Sequence, residues 1–247
     1  MKKRIRQLLL GGLLTMVLLG ISVVVFLLNP QLSYAQQTPL SFATLYHDTA
    51  LSPQFLREVE ASLAEIRASL LWQEDAHFRI CLPGPGTYAE RVESLLGPDV
   101  IRSFADISVM QAEFAADSTT LLWREAAWPV STMLAHSMTH SLQFKHHGFW
   151  DANPLGGHPE WKWEGFAEWA AWGKGVSMDS LKSLFHRTQG GPWEYLAFSS
   201  GQGSMRQHIQ YLLCCKYLLE EEKLDYSALM SDSQSMEAIW HQVWAID

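Results

Sequence analysis

The chain has 247 residues, 48% hydrophobic and 18% charged, which is enough apolar mass for one domain plus an appendage and carries no signature of global disorder. Its formal charge is -8. All four charges of the first segment (Lys2, Lys3, Arg4, Arg6) are positive, so 14 of the 18 basic residues face 26 acidic ones in the rest, which argues against a nucleic-acid partner.

Residues 8–28, LLLGGLLTMVLLGISVVVFLL, contain no charge. At about 1.5 Å per residue they are long enough to cross the roughly 30 Å hydrocarbon core of a bilayer as one helix. The basic cluster before them belongs on the cytoplasmic side. Two readings stay open. Residues 1–35 are an uncleaved anchor that partners the membrane, or a secretory signal peptide. For the second, Asn29-Pro30 breaks the helix and Ser33-Tyr34-Ala35 sets small residues at the positions a signal peptidase reads. The apolar run is long for a signal peptide, which favours the anchor. The first reading gives a single-pass membrane protein with an extracytoplasmic carboxy-terminal domain, the second a secreted or periplasmic one.

Residues 36–52 are polar and Pro/Ser/Thr-containing and read as a linker, so the domain is expected over 53–247. Ser52-Pro53 opens a helix, with Ser as cap and Pro in the first turn. Leu56, Val59, Leu63, Ile66 and Leu70 recur on one helical face. His77–Leu82 alternates as a strand and ends at Pro83-Gly84-Pro85-Gly86. Thr87 with Glu90 forms a capping box for a short helix that stops near Gly97-Pro98. Residues 100–104 and 107–114 read as strands joining 77–82 in a small sheet, with Thr119–Trp123 as another edge strand.

Pro129 suits the first turn of a helix through about Lys145. Residues 146–159 form a loop, and a second helix runs from about Glu160 to Trp172 and stops at Gly173. Ser177 caps a short helix, Ser204 with Gln207 is a second capping box opening a long helix to about Glu222, and Ser233 caps the last helix. One early mixed sheet followed by helices predicts an α+β fold, mainly helical. Cys81 and one of Cys214 and Cys215 are able to form a disulfide, with core packing of all three the competing reading.

His136 and His140 stand four apart on one predicted helix, Glu164 and Glu168 four apart on the next. An i,i+4 pair shares a helical face, so each helix can aim two ligand-type side chains at one point. Two His and one Glu are a zinc set that leaves a fourth position open. Glu168 is then placed to accept a hydrogen bond from the far ring nitrogen of a ligand histidine, with Thr139 and Asn153 as further supports. Without a metal, the same residues read as a core histidine pair and a solvated helix face. His146 and His147 read as a solvated helix end, with contact to a ligand as the other reading. Trp150, Trp161, Trp163, Trp169 and Trp172 read as helix packing or as a cleft wall. His208, Tyr195 and Tyr211 are candidate oxyanion donors.

His136-Ser137-Met138-Thr139-His140 followed by Trp163-Glu164-Gly165-Phe166-Ala167-Glu168 resembles the gluzincin zinc metallopeptidases, with their HExTH helix and downstream EGxAE helix. The resemblance implies a zincin-like domain with Zn2+ held by His136, His140 and Glu164, oriented by Glu168. It extends more weakly over about His77–Trp244. One departure is decisive for activity. The family motif has glutamate after the first histidine, as the general base for the attacking water, and this chain has Ser137. A serine hydroxyl does not do that work near neutral pH without its own base, and losing the proton shuttle costs about 10²–10⁴-fold in rate. The expected function is therefore a zinc-binding, catalytically impaired metallopeptidase homologue, a pseudoenzyme that takes a peptide or protein ligand. The competing readings are an active enzyme whose base comes from elsewhere, Glu160 or Glu125 for example, and a helical structural domain without metal.

Overall fold

The computed structural model describes residues 2–84, 86–124, 126–187 and 189–245. Helix α1 (Lys2–Leu28) has its side chains exposed over Leu9–Val25, and its Leu9–Leu28 stretch is the one helix among the described residues long and apolar enough to cross a membrane. After a single 3-10 turn at Pro30–Leu32 the chain enters strand β1 (Gln36–Pro39) and then β2 (Ala43–His47). The segment expected to be a linker is thus part of the domain. Its Leu45 and Tyr46 alternate between the two faces of the sheet and are both buried.

The main sheet continues with β3 (Phe78–Cys81), β4 (Ile101–Phe104) and β5 (Ile107–Met110) in the order β1-β2-β3-β5-β4. The central three strands run parallel, and both edges pair antiparallel. Period-2 alternation divides the side chains. Leu45, Ile80 and Met110 point to the larger core, while Tyr46, Cys81, Ile107 and Val109 point to a smaller one. Helix α2 (Pro53–Arg67) covers the first face with Phe55, Val59, Leu63 and Ile66, and helix α3 (Tyr88–Leu96) covers the second with Tyr88, Ala89 and Val92. Each such fully buried aliphatic or aromatic side chain stabilises the fold by about 1.5–3 kcal/mol before entropy is counted. Leu70, expected on the α2 stripe, lies beyond the helix end and is exposed.

Several local expectations are corrected. The strand read over 107–114 breaks after Met110. β6 (Glu113–Phe114) instead opens a separate antiparallel sheet with β7 (Thr120–Trp123) and β8 (Ala126–Pro129), in which β7 is central rather than an edge. Pro129 ends β8 and stands just before α4 (Val130–His147) instead of inside its first turn. Ser52 and Ser177 cap as expected, accepting from Phe55 N at 3.0 Å and Ser180 N at 3.2 Å. Thr87 does not cap: its hydroxyl donates to Gly84 O at 2.6 Å, while Glu90 accepts from the Gly86 amide.

Helix α5 (Glu160–Ala171) folds back on α4. Helix α6 (Met178–His186) and a two-stranded ribbon, β9 (Tyr195–Ala197) with β10 (Gly203–Met205), lead into α7 (Arg206–Lys216). Ser204 belongs to β10, so its hydroxyl is free for another task. The long helix expected to Glu222 ends as a π-turn at Tyr217–Glu221, followed by an unanticipated short helix α8 (Tyr226–Ser231) capped by Asp225. In the last helix, α9 (Met236–Ala245), Ser235 rather than Ser233 holds the amino end, accepting from Ala238 N at 3.2 Å. All three cysteines are free and buried. Cys81 belongs to the smaller core and Cys214 and Cys215 to the larger, so the disulfide reading gives way to packing. The result is a mostly helical α+β fold in which α4 packs on β4 and β5 of a mixed sheet, α5 packs on α4, and α7 packs on α5.

Candidate metal centre

Helices α4 and α5 bring the histidine pair and the first glutamate together. Glu164 Oε2 lies 3.3 Å from His136 Nε2 and 3.3 Å from His140 Nε2, and the two Nε2 atoms are 3.0 Å apart. Bonds of about 2.0–2.1 Å in a tetrahedron place neighbouring ligand atoms roughly 3.3 Å from one another, so this triangle has the size of one face of a zinc site.

The ring protons favour the same arrangement. Gln143 gives its amide NH₂ to Trp163 O at 3.1 Å, which leaves Oε1 to accept from His140 Nδ1 at 2.8 Å. His136 Nδ1 faces Glu168 Oε1 at 3.5 Å. With those protons on Nδ1, the Nε2 atoms of both rings turn toward each other and toward a carboxylate. Three electron-rich atoms at that spacing repel unless a cation or a proton lies among them. The cluster is therefore able to hold a divalent metal ion.

Glu168 is buried under four donors. Ser204 Oγ donates to its Oε1 at 2.7 Å, His208 Nδ1 approaches the same oxygen at 3.1 Å, and Trp172 Nε1 donates to Oε2 at 2.5 Å, with His136 Nδ1 beyond. Burial alone pushes the Glu168 carboxyl up, but His136, His208 and Ser204 together hold it below the usual carboxylate value. Glu164 is likewise pushed up by burial and more strongly pulled down by His140 and His136, well below its ordinary value. For the histidines the signs reverse. Burial lowers His140 and His208, and the glutamates raise them further, His208 to about 9.

Ser137 is fully buried on the sheet side of α4. Its hydroxyl donates to Ser108 Oγ at 2.7 Å and lies 2.6 Å from Ser103 Oγ. Ser108 and Ser103 are on β5 and β4, so Ser137 is tied to the sheet by hydroxyls, with no base among them.

A cleft of about 730 Å³ opens onto the cluster, floored by His136, His140 and Glu164 and walled by the edge strand β4, Trp128, Trp163 and Phe149. Glu160 and Asp99 also line it. Asp99 was not a sequence candidate. Its carboxyl is raised, first by burial and also by Glu164, against the pull of Arg102 at 3.3 Å. Glu125 lies outside the described residues.

No family model, curated protein or solved structure matches this chain. Thr139 donates to Ala135 O and Asn153 pairs with the His158 backbone, so neither supports the cluster directly. Of the three oxyanion candidates only His208 reaches the cleft lining. Tyr211 accepts from Gln207, and the Tyr195 ring packs on Trp128. His147 is packed rather than solvated, with Nε2 3.0 Å from Tyr226 Oη, while His146 is exposed. Trp163, Trp169 and Trp172 are buried and Trp150 is exposed. Sequence reasoning missed Gln143 and gave Ser204 and Trp172 other roles, a helix cap and an aromatic wall, where the structure makes both donors to Glu168. Gln143 and Trp172 do sit three or four residues after His140 and Glu168 on the same helical faces, a spacing that marks them as neighbours.

Proposed function

We propose that the protein is an extracytoplasmic, membrane-held domain that binds Zn2+ through His136, His140 and Glu164 and takes an extended peptide in the adjoining cleft, with peptide hydrolysis impaired by Ser137. The observation that carries this reading is the convergence of Glu164 Oε2 and the two Nε2 atoms within 3.0–3.3 Å of one another. Glu168, gripped by Ser204 and Trp172, would hold the His136 ring in register, the part that the gluzincin resemblance assigns to it. Zinc in such a set acidifies water and polarises a carbonyl. The chain's own residues would supply orientation but no base at the Ser137 position. The peptide preference rests on β4, an outer strand of the main sheet that lines the cleft and can pair with an added strand.

The test is metal content of the purified protein after expression with zinc. About one zinc per chain is expected from a two-His, one-Glu set, falling to a trace in His136→Ala or Glu164→Gln. A metal-free protein under those conditions overturns the proposal. In the same preparation, chelator-sensitive peptide turnover by the unmodified chain would instead favour the active-enzyme reading. The specific observation behind that second reading is the presence of the Asp99 and Glu160 carboxylates in the cleft. Asp99→Asn and Glu160→Gln would then identify which one carries the proton.

A further inference from the structure

The end of α1 is bonded into the domain. Its last carbonyls are orphans of the helix, and both find donors from distant elements. Tyr88 Oη donates to Leu27 O, and Arg79 Nη1 donates to Leu28 O at 2.7 Å while the same guanidinium pairs with Asp106. A cation at the carboxy end also suits the helix dipole. Phe26 and Leu27 pack against the smaller core, with the Phe26 and Tyr88 rings 5.1 Å apart.

The chain between helix and sheet is fastened as well. Asn29 Nδ2 donates to Val25 O at 2.6 Å, Tyr34 Oη donates to Leu82 O at 2.8 Å, and Ala35 N donates to Asp48 Oδ1 at 2.7 Å. Gln36 then pairs with His47 in the sheet. A cut after Ala35 would strip Phe26, Leu27 and Tyr34 from the smaller core, uncover Cys81 beneath them, and take from Arg79 Nη1 and Tyr88 Oη the carbonyls they donate to. A processing site is instead expected in a segment with few such ties. The exposed apolar stretch and the docked stretch also meet between Val25 and Phe26 within one helix, with no free tether between them.

We infer that α1 is never removed: it is a retained membrane anchor whose last turn is a structural part of the domain, so that the smaller-core face of the sheet is fixed against the lipid headgroups. The occupant of the exposed Leu9–Val25 surface is a phospholipid bilayer, because the stretch is uncharged, apolar on every side and of spanning length. The inference rests on the membrane placement proposed above, and it is independent of the metal.

The experiment uses the full chain expressed in cells, with intact-mass measurement and alkaline carbonate washing of the membranes. The expected result is an uncut chain that stays in the washed membranes, unchanged in Ala35→Arg, a variant that removes the small residue cleavage requires. A product beginning at Gln36, or a soluble product that Ala35→Arg converts to a membrane-bound one, overturns retention. An uncut chain released by carbonate overturns the bilayer as occupant and the membrane placement with it, while leaving the metal reading standing.

Docking is read separately from thiol labelling. Phe26→Ala with Leu27→Ala should lower Tm by roughly 4–8 °C. It should also speed labelling of Cys81 on the order of tenfold or more, while Cys214 and Cys215 in the larger core stay protected. Unchanged Cys81 labelling and an unchanged Tm in that variant would overturn the docking.

Discussion

Glu168 shows how one side chain joins stability to site geometry. It is surrounded by Ser204, Trp172, His208 and His136, so its charge is matched before any ligand arrives. His208 is the titrating partner. Glu168 raises it to about 9 against the effect of burial, from an unfolded value near 6.5. A folded-state pKa above the unfolded one means that the contribution to stability is full below about pH 6.5 and is lost as pH rises through about 9. Denaturant unfolding of the chelated protein should therefore show a midpoint that falls between those limits, and His208→Asn should flatten that fall. A wild-type midpoint with no more slope than the variant's would show that the pair is not coupled. Ser137 belongs to the same level of detail. Its side chain is fully buried with the hydroxyl held by Ser103 and Ser108, so Ser137→Glu should cost about 1–3 kcal/mol from overpacking, read as a lower denaturant midpoint.

Helices α5 and α7 cross closely, and the crossing explains the glycine between Glu164 and Phe166. A Cβ at Gly165 would meet Tyr211 O at 2.5 Å and Cys215 Sγ at 2.6 Å. The Cys215 thiol is itself committed there, donating to Trp161 O at 3.5 Å. Gly165→Ala gains about 1 kcal/mol of helix propensity, but the contact is with backbone and cannot be relieved by a rotamer change. The net expectation is a loss of about 1–3 kcal/mol, read as a lower denaturant midpoint at unchanged slope. Because Glu164 and Glu168 flank this residue, the same variant should bind zinc more weakly. A variant as stable as wild type would mean that the helices separate freely at this point.

For the molecule as a whole, the sheet and the helical half are joined by the centre. β5 and β4 hold α4 through the serine hydroxyls, and α4 meets α5 at the His136, His140 and Glu164 cluster. An ion that binds only the folded chain stabilises it by linkage, about 2.7 kcal/mol at a free concentration one hundred times Kd. Calorimetry should accordingly show a Tm that rises with zinc and returns with a chelator, and that does neither in His140→Ala. A zinc response retained in His140→Ala would place the ion elsewhere.

Much of this was legible in the sequence because it depends on short-range periodicity. The uncharged run at 8–28, the caps at Ser52 and Ser177, and the i,i+4 pairs on α4 and α5 are all local patterns, and a helical repeat fixes which residues share a face. The conversion of 36–47 from linker to strands, the split of 107–114 between two sheets and the reassignment of Ser204 from cap to Glu168 partner were not legible, since each is decided by what lies across the fold. Composition and spacing by themselves determined that the chain carries a membrane-length apolar helix and two pairs of ligand-type residues. Only the tertiary structure decided that three of those four meet within 3.0–3.3 Å and that the helix ends inside the domain. The physical reason is that periodicity sets direction within one element, whereas distance between elements is set by packing, and packing depends on side chains far apart in the chain.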